Sequence, residues 1–307
     1  MIRLYSTLLG LSFIWGLSFV FMKWLLEPAG VWGTVFLRCL AGALILLPAV
    51  WWKRREFPTK LPWGSIAVVG ICNAAFPWGM ISLSETQIDS STASVLNATT
   101  PLWTGLLGFL LFSATLTKKQ WVGIFVGFFG IVTLMNFQIG DLLGQRFIGV
   151  GTMVLATLSY GFASHYTKRF LSGISVLAIT FYSLLFGAVA GIVGMLITEP
   201  LTPMLLLDPL SIFAVIGLGC FGSGIAHLLY YDLMMRGGPE FASTVTYVIP
   251  VTAMVWGYLL LNEPITPNLI IGLLIIFTGV YLSSRSAKKQ PDRDITYHQQ
   301  DKFYHLR

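Results

Sequence analysis

Windows of about twenty consecutive apolar residues, the length that carries an α-helix across a bilayer, recur along nearly the whole of this 307-residue chain. They fall at roughly 4–26, 31–52, 63–84, 90–112, 118–137, 148–168, 175–196, 210–234, 241–262 and 268–285. The linkers between them are too short for a separate soluble domain. The runs are continuous rather than alternating, which selects helices over a barrel, because a helix satisfies its own backbone hydrogen bonds in lipid. The expected fold is therefore an all-α integral membrane protein of ten transmembrane helices. Composition agrees, with 55% hydrophobic and 10% charged residues, where a soluble domain is about a quarter charged. The opening stretch runs apolar to Leu26. It is too long for a signal-peptide core, has no small-residue cleavage site, and is read as an uncleaved first span.

Charge sets the expected orientation. With the N-terminus cytoplasmic, the inner loops and tail hold 16 of the 19 basic residues, Lys53, Lys60, Lys118, Lys119, Lys168 and Arg169 among them. Arg146 alone falls outside, and Lys23 and Arg38 lie within spans. The contrast satisfies the positive-inside rule and puts both termini in the cytoplasm. It also accounts for the net charge of +6, so no nucleic-acid partner is implied. The tail, 286–307, is polar with mixed charge and reads as disordered. Cys39, Cys72 and Cys220 lie in spans without zinc or redox spacing and read as small buried residues.

The chain also repeats. A shift of 149 positions aligns residues 93–133 with 242–282 without a gap, and ten of the 41 positions are identical. Pro101 meets Pro250, Gly108 meets Gly257, Gly123 meets Gly272 and Gly130 meets Gly279. A weaker echo sets Trp15 and Gly16 against Tyr160 and Gly161. Each half, 1–140 and 146–285, then holds five spans. Five is odd, so the second copy crosses the membrane in the opposite sense, as in carriers whose site lies between inverted repeats.

Proline inside a helix removes a backbone donor and crowds the carbonyl four residues back, so Pro101 and Pro250 are each expected to kink or loosen their spans. Asn97, Thr99, Thr100 and Thr104 flank one proline. Thr244, Thr246, Tyr247 and Thr252 flank the other. These polar groups either line a hydrated cavity or bond their own helix.

Here the chain resembles the ten-span transporters of the drug/metabolite superfamily, the EamA-like group, over essentially residues 4–284. The resemblance is carried by WGLSFVFMKWLLE in the first span, FLRCLAGALILL in the second and LATLSYGFASHYTKRF in the sixth. The most specific stretch is LLYYDLMMRGGPEFASTVTYVIPVTAMVWGYLLLNEPIT followed by GLLIIFTGVYL. The resemblance implies an inner-membrane carrier that exports amino acids or similar small metabolites from a cavity lined by spans 1, 3, 4, 6, 8 and 9. Within those spans Trp15, Trp78, Trp103, Tyr160 and Tyr247 are cavity candidates whose rings suit flat or apolar solutes. The chain departs from the family pattern at Ser113, Ala114 and Thr115, where the second half has Asn262, Glu263 and Pro264, and at Asp232.

Ionisable residues within spans are costly unless paired or wet. Arg38 lies seven residues into the second span, about 10 Å deep at the helical rise. It is either a structural cation held by carbonyls or by Glu27 or Glu85, or a functional one. Lys23 is expected to pair with Glu27 one turn on. His227, one turn from Tyr230 and Tyr231, is a candidate for proton coupling. Gly123 with Gly127, and Gly187 with Gly191, permit close helix contact. The partners expected are a small-molecule substrate and the lipid bilayer; no metal site or cofactor is implied. A membrane-embedded enzyme and a passive channel are the rival classes, but the chain carries no metal-binding or nucleophile motif and no phosphate-binding loop.

Overall fold

The computed structural model describes residues 2–53, 57, 60–113, 115–134, 145–198, 207–237 and 245–284. Thr244, the side chains of Arg146, Tyr231 and Asp232, and the tail from Arg285 onward lie outside what the structure describes. The secondary structure described is helical, and helical segments occur at each of the ten expected ranges. In chain order they are α1 (Ile2–Lys53), α2 (Trp63–Gly70), α3 (Phe76–Glu85), α4 (Ser90–Asn97), α5 (Thr100–Leu111), α6 (Lys118–Leu134), α7 (Gln145–Phe170), α8 (Val176–Ile197), α9 (Pro209–Val215), α10 (Ala226–Gly237), α11 (Val245–Leu261) and α12 (Pro267–Ser284). Two π-helical segments, Ile71–Ala75 and Ile216–Ile225, join α2 to α3 and α9 to α10. Among the described residues six stretches are long and apolar enough to span a membrane, and α11 and most of α12 are apolar but shorter. The perimeter is apolar, with Phe125, Phe129, Leu196 and Ile197 exposed, as a lipid-facing surface requires.

The first stretch is bent rather than straight. Gly30 has φ 64° inside α1, a conformation that glycine adopts without a Cβ penalty, and there the chain passes from its first arm to its second. Thr34 Oγ1 covers the break, donating to the carbonyl of Gly30 at 2.7 Å and lying 3.2 Å from that of Leu25.

Pro101 and Pro250 behave differently. The fourth span is interrupted at Ala98 and Thr99, and α5 restarts with Pro101 in its first turn, where the missing donor is harmless. Pro250 instead sits inside α11, so the ninth span is continuous through its proline where the fourth is interrupted. Membrane helices tolerate proline where neighbouring groups re-satisfy the backbone. Beside it, the Thr252 hydroxyl lies 2.9 Å from the Ile249 carbonyl and 2.8 Å from that of Ser12 on α1.

The two halves are related by contacts that exchange under the 149-residue shift. A Cβ at Gly123 would run into the backbone of Ser283, and one at Gly272 would lie 2.9 Å from the Leu134 Cβ. A Cβ at Gly130 would lie 2.7 Å from Ile276 Cγ1, and one at Gly279 would overlap the Gly127 backbone. Ser283 and Ile276 are the shifted counterparts of Leu134 and Gly127. Reciprocal contacts of this kind mark an approximate two-fold axis, here passing between α6 and α12. The ends of α5 and α11 repeat as well: Ser113 and Asn262, 149 positions apart in sequence, both take left-handed backbone, with φ 56° and 55°.

Candidate functional site

Where a helix widens to π-type bonding, a carbonyl loses its regular partner, and such turns concentrate at functional sites. The third span of each half widens in this way, and each receives a donor from the first span of the other half. Ser159 Oγ on α7 donates to the Cys72 carbonyl at 2.6 Å. In the other direction, Trp15 Nε1 on α1 donates to the Gly222 carbonyl at 3.1 Å. A third donor is local, Ser223 Oγ to the Leu218 carbonyl at 3.0 Å. Ser159→Ala leaves the Cys72 carbonyl unpaired in a partly buried turn. It is expected to cost about 1–2 kcal/mol, read as a fall in the unfolding midpoint of the detergent-solubilised protein.

Between the two widened turns lies Arg38. Its side chain is only 6% exposed. Nε donates to Ser223 Oγ at 2.8 Å, and the guanidinium carbon stands 3.7 Å over the Trp78 ring centre, a cation–π arrangement. Glu85 acts on Arg38 electrostatically, but both Glu85 oxygens are buried without a hydrogen bond, so the two are not in contact. The Trp78 and Tyr160 side chains in turn lie close to each other. On the other side, the Trp15 ring lies 6.0 Å from His227 and 5.5 Å from Tyr230, centre to centre.

The structure thus gathers Trp15, Arg38, Trp78, Tyr160, His227 and Tyr230 from five spans. Beside them is a cavity of about 40 Å³ whose wall includes Asn73, Trp78, Thr180, Ser183 and His227. That is room for one to a few waters. His227 Nδ1 and Ser183 Oγ are buried without a well-formed hydrogen bond.

The remaining candidates lie elsewhere. Thr100 Oγ1 donates to the Asn97 carbonyl at 2.7 Å, and Trp103 Nε1 to Thr99 Oγ1 at 3.2 Å. Thr99 and Thr104 likewise bond carbonyls of their own helix. Asn97 Oδ1 is buried without a partner. Pro101 follows on the same segment. On α11, Tyr247 packs edge-on against Phe277 at 5.5 Å, with the half-buried Thr246 next to it and Pro250 buried a turn further on. None of these residues is on the cavity wall.

Two polar clusters were not legible from spacing. Lys23 does not pair with Glu27, which is exposed. Its Nζ reaches the carbonyls of Glu85, the last residue of α3, and of Ile88, three residues beyond it, a helix end that a cation suits. Glu263 caps α4: its carboxylate accepts from Ser90 N at 2.7 Å, Ser91 N at 2.9 Å, Ser90 Oγ at 3.0 Å and Ser91 Oγ at 2.7 Å. Gly257 makes room for this, since a Cβ there would lie 2.5 Å from both Glu263 Oε2 and Ser91 Oγ. The one sequence signal was an acid present in one half and missing from the other. Among the described residues no group of three His, Cys, Asp or Glu side chains could hold a metal ion.

Comparison with known proteins bears on the whole length. Residues 3–136 and 147–285 each match the EamA-like transporter family. The chain is 30% identical over 284 residues to the uncharacterized inner membrane transporter YedA of Escherichia coli strain K12, covering 92% of this chain and 90% of that one. It is 22% identical to the uncharacterized transporter YoaV of Bacillus subtilis, with 92% and 97% covered. Against protein PecM of Dickeya dadantii the identity is 24%, with 91% and 93% covered. One crystal structure superposes with a TM-score of 0.58 at 16% identity, over 91% of this chain and 99% of the other, a likeness of fold alone. With two matches in tandem, one to each half of the bundle, the chain belongs to the EamA-like transporter family.

Proposed function

We propose that the chain is a secondary transporter that exports small metabolites such as amino acids by alternating access. In this reading it crosses the membrane ten times, with units 1–140 and 146–285 inverted about the site and both termini cytoplasmic. The observation that carries the reading is the pair of widened third spans, each held by a donor from the opposite half, with a buried cation and a small polar cavity between them. A site built from both repeats can be opened to one side or the other by tilting one repeat against its twin. The word transporter in the names of relatives supports transport over catalysis, and inner membrane in one of them supports the location.

Vesicles containing the purified protein, loaded with a panel of labelled amino acids, test this. A carrier gives saturable efflux that responds to an imposed gradient, whereas a channel gives a rate linear in concentration and an enzyme alters the solute chemically. The orientation is tested by tags on the two ends, which should both be reached only from the cytoplasmic side. Within the same assay, Pro101→Ala should slow efflux several-fold at unchanged expression, because it favours fusing α4 and α5 into one rigid rod. Pro250→Ala should have the smaller effect, since α11 is already continuous. Wild-type rates in both variants would remove the prolines from the mechanism.

A further inference from the structure

Arg38 poses an unsolved problem of charge. A guanidinium offers five N–H donors, and burying it is costly unless those donors and the charge are met. Yet among the described residues only Nε has a hydrogen-bond partner, the Ser223 hydroxyl. Ser223 is neutral, and the carboxyl that acts on Arg38, that of Glu85, does so without contact. Tyr160 and Cys39, the other titratable groups beside it, are neutral in their ordinary state. The two Nη groups are left as a planar fork with no protein acceptor. Ser223 holds one edge of the guanidinium and the Trp78 ring holds its face, so rotation of the head group is restricted and the fork has a defined direction. Trp78, on which the guanidinium rests, and His227 both line the cavity, whose room for one to a few waters suffices for a carboxylate group and lies one side chain away from the charge.

We propose that the free Nη edge of Arg38, backed by Trp78, is the binding point for the carboxylate of an organic anion. A carboxylate matches the fork with two parallel hydrogen bonds and supplies the missing counter-charge. The Trp78 ring, which is on the cavity wall, then lies against the organic part, so a flat or apolar body is favoured over a compact inorganic ion. Ser223 is a positioning residue: it fixes the guanidinium and does not touch the ligand. That the bound carboxylate is also the cargo rests on the transport reading above, whereas the binding itself does not.

The test uses the purified full-length protein in detergent at constant ionic strength, with the unfolding midpoint as readout. The probes are benzoate and phenylacetate, each beside its neutral amide, L-phenylalanine beside its N-acetyl amide, and inorganic phosphate. At least one carboxylate should raise the midpoint saturably while its amide does not. Arg38→Gln should abolish the shift. Arg38→Lys, which keeps the charge and loses the fork, should weaken apparent affinity at least ~10-fold, about 1.4 kcal/mol, and serves alone if the Gln variant does not fold. Equal shifts from acid and amide, a shift with phosphate alone, no shift with any carboxylate, or unchanged affinity in the Lys variant each overturn the assignment. Carboxylate-specific binding without flux of any solute in vesicles would leave this site standing and remove the transport reading. Saturable flux of neutral solutes undiminished in Arg38→Lys would do the reverse.

Discussion

Glu263→Ala should lower the unfolding free energy by about 3 kcal/mol, measured by chemical or thermal unfolding in detergent. Hydrogen bonds to a charged group contribute about 1.5–3 kcal/mol each, and this carboxylate accepts four, two from backbone donors in the first turn of α4. They share one charge and are not additive, which keeps the sum well below four times the single value. The substitution leaves the N–H groups of Ser90 and Ser91 buried and unmet, and Asp89, at the N-cap position, makes no side-chain capping bond. Glu263→Gln should recover more than half of the loss, because the amide oxygen still accepts from the helix end. Equal losses for Ala and Gln would mean that the charge matters and the acceptor does not. No loss in either would show that the cap is dispensable.

Gly279→Ala should be at least as damaging, about 3 kcal/mol or failure to accumulate in the membrane. The added methyl would overlap the Gly127 backbone, and a backbone cannot swing aside as a long side chain can. Relief would require α6 and α12 to move apart along their whole contact, and overpacking of this sort costs about 1–3 kcal/mol even in more pliable cores. The comparison is Gly10→Ala on α1, where nothing lies within 4 Å of the new carbon. There the change should be under about 1 kcal/mol and, if anything, favourable, since alanine is the better helix former. Similar unfolding midpoints for the two variants would disprove the close-packed seam.

These two sites show what could and could not be read from the chain. The glycines of α6 and α12 were legible as a repeat, because Gly123 and Gly272, and Gly130 and Gly279, align at a fixed offset. That they meet each other across the seam was not, since spacing within a helix does not name its neighbour. Glu263 was visible as an acid near the end of a span, but the helix it caps begins 173 positions earlier, beyond any local pattern. Helix ranges followed closely from the apolar windows: 90–112 was expected, and α4 with α5 covers Ser90–Leu111. The break at Ala98 and Thr99 falls where Pro101 was expected to loosen the span, whereas the widened turn at Ile71–Ala75 carries no composition of its own. The second is made of Ile, Cys, Asn and Ala, all ordinary in a membrane helix, so its irregular bonding answers to tertiary demands such as Ser159. Lys23 was misassigned because a helical neighbour, Glu27, is evident from sequence and a carbonyl pair on another span is not.

The widened turn also changes where its own helix looks. One surplus residue turns everything beyond it by about 100°, the angular step of a helix with 3.6 residues per turn. Before it, Gly70 abuts Ser183 and Phe186 on α8; after it, Gly79 abuts Trp32 on α1. Gly70 and Gly79 on this one rod serve two different neighbours, with the extra step lying between them, and Trp78, just beyond the turn, meets Arg38.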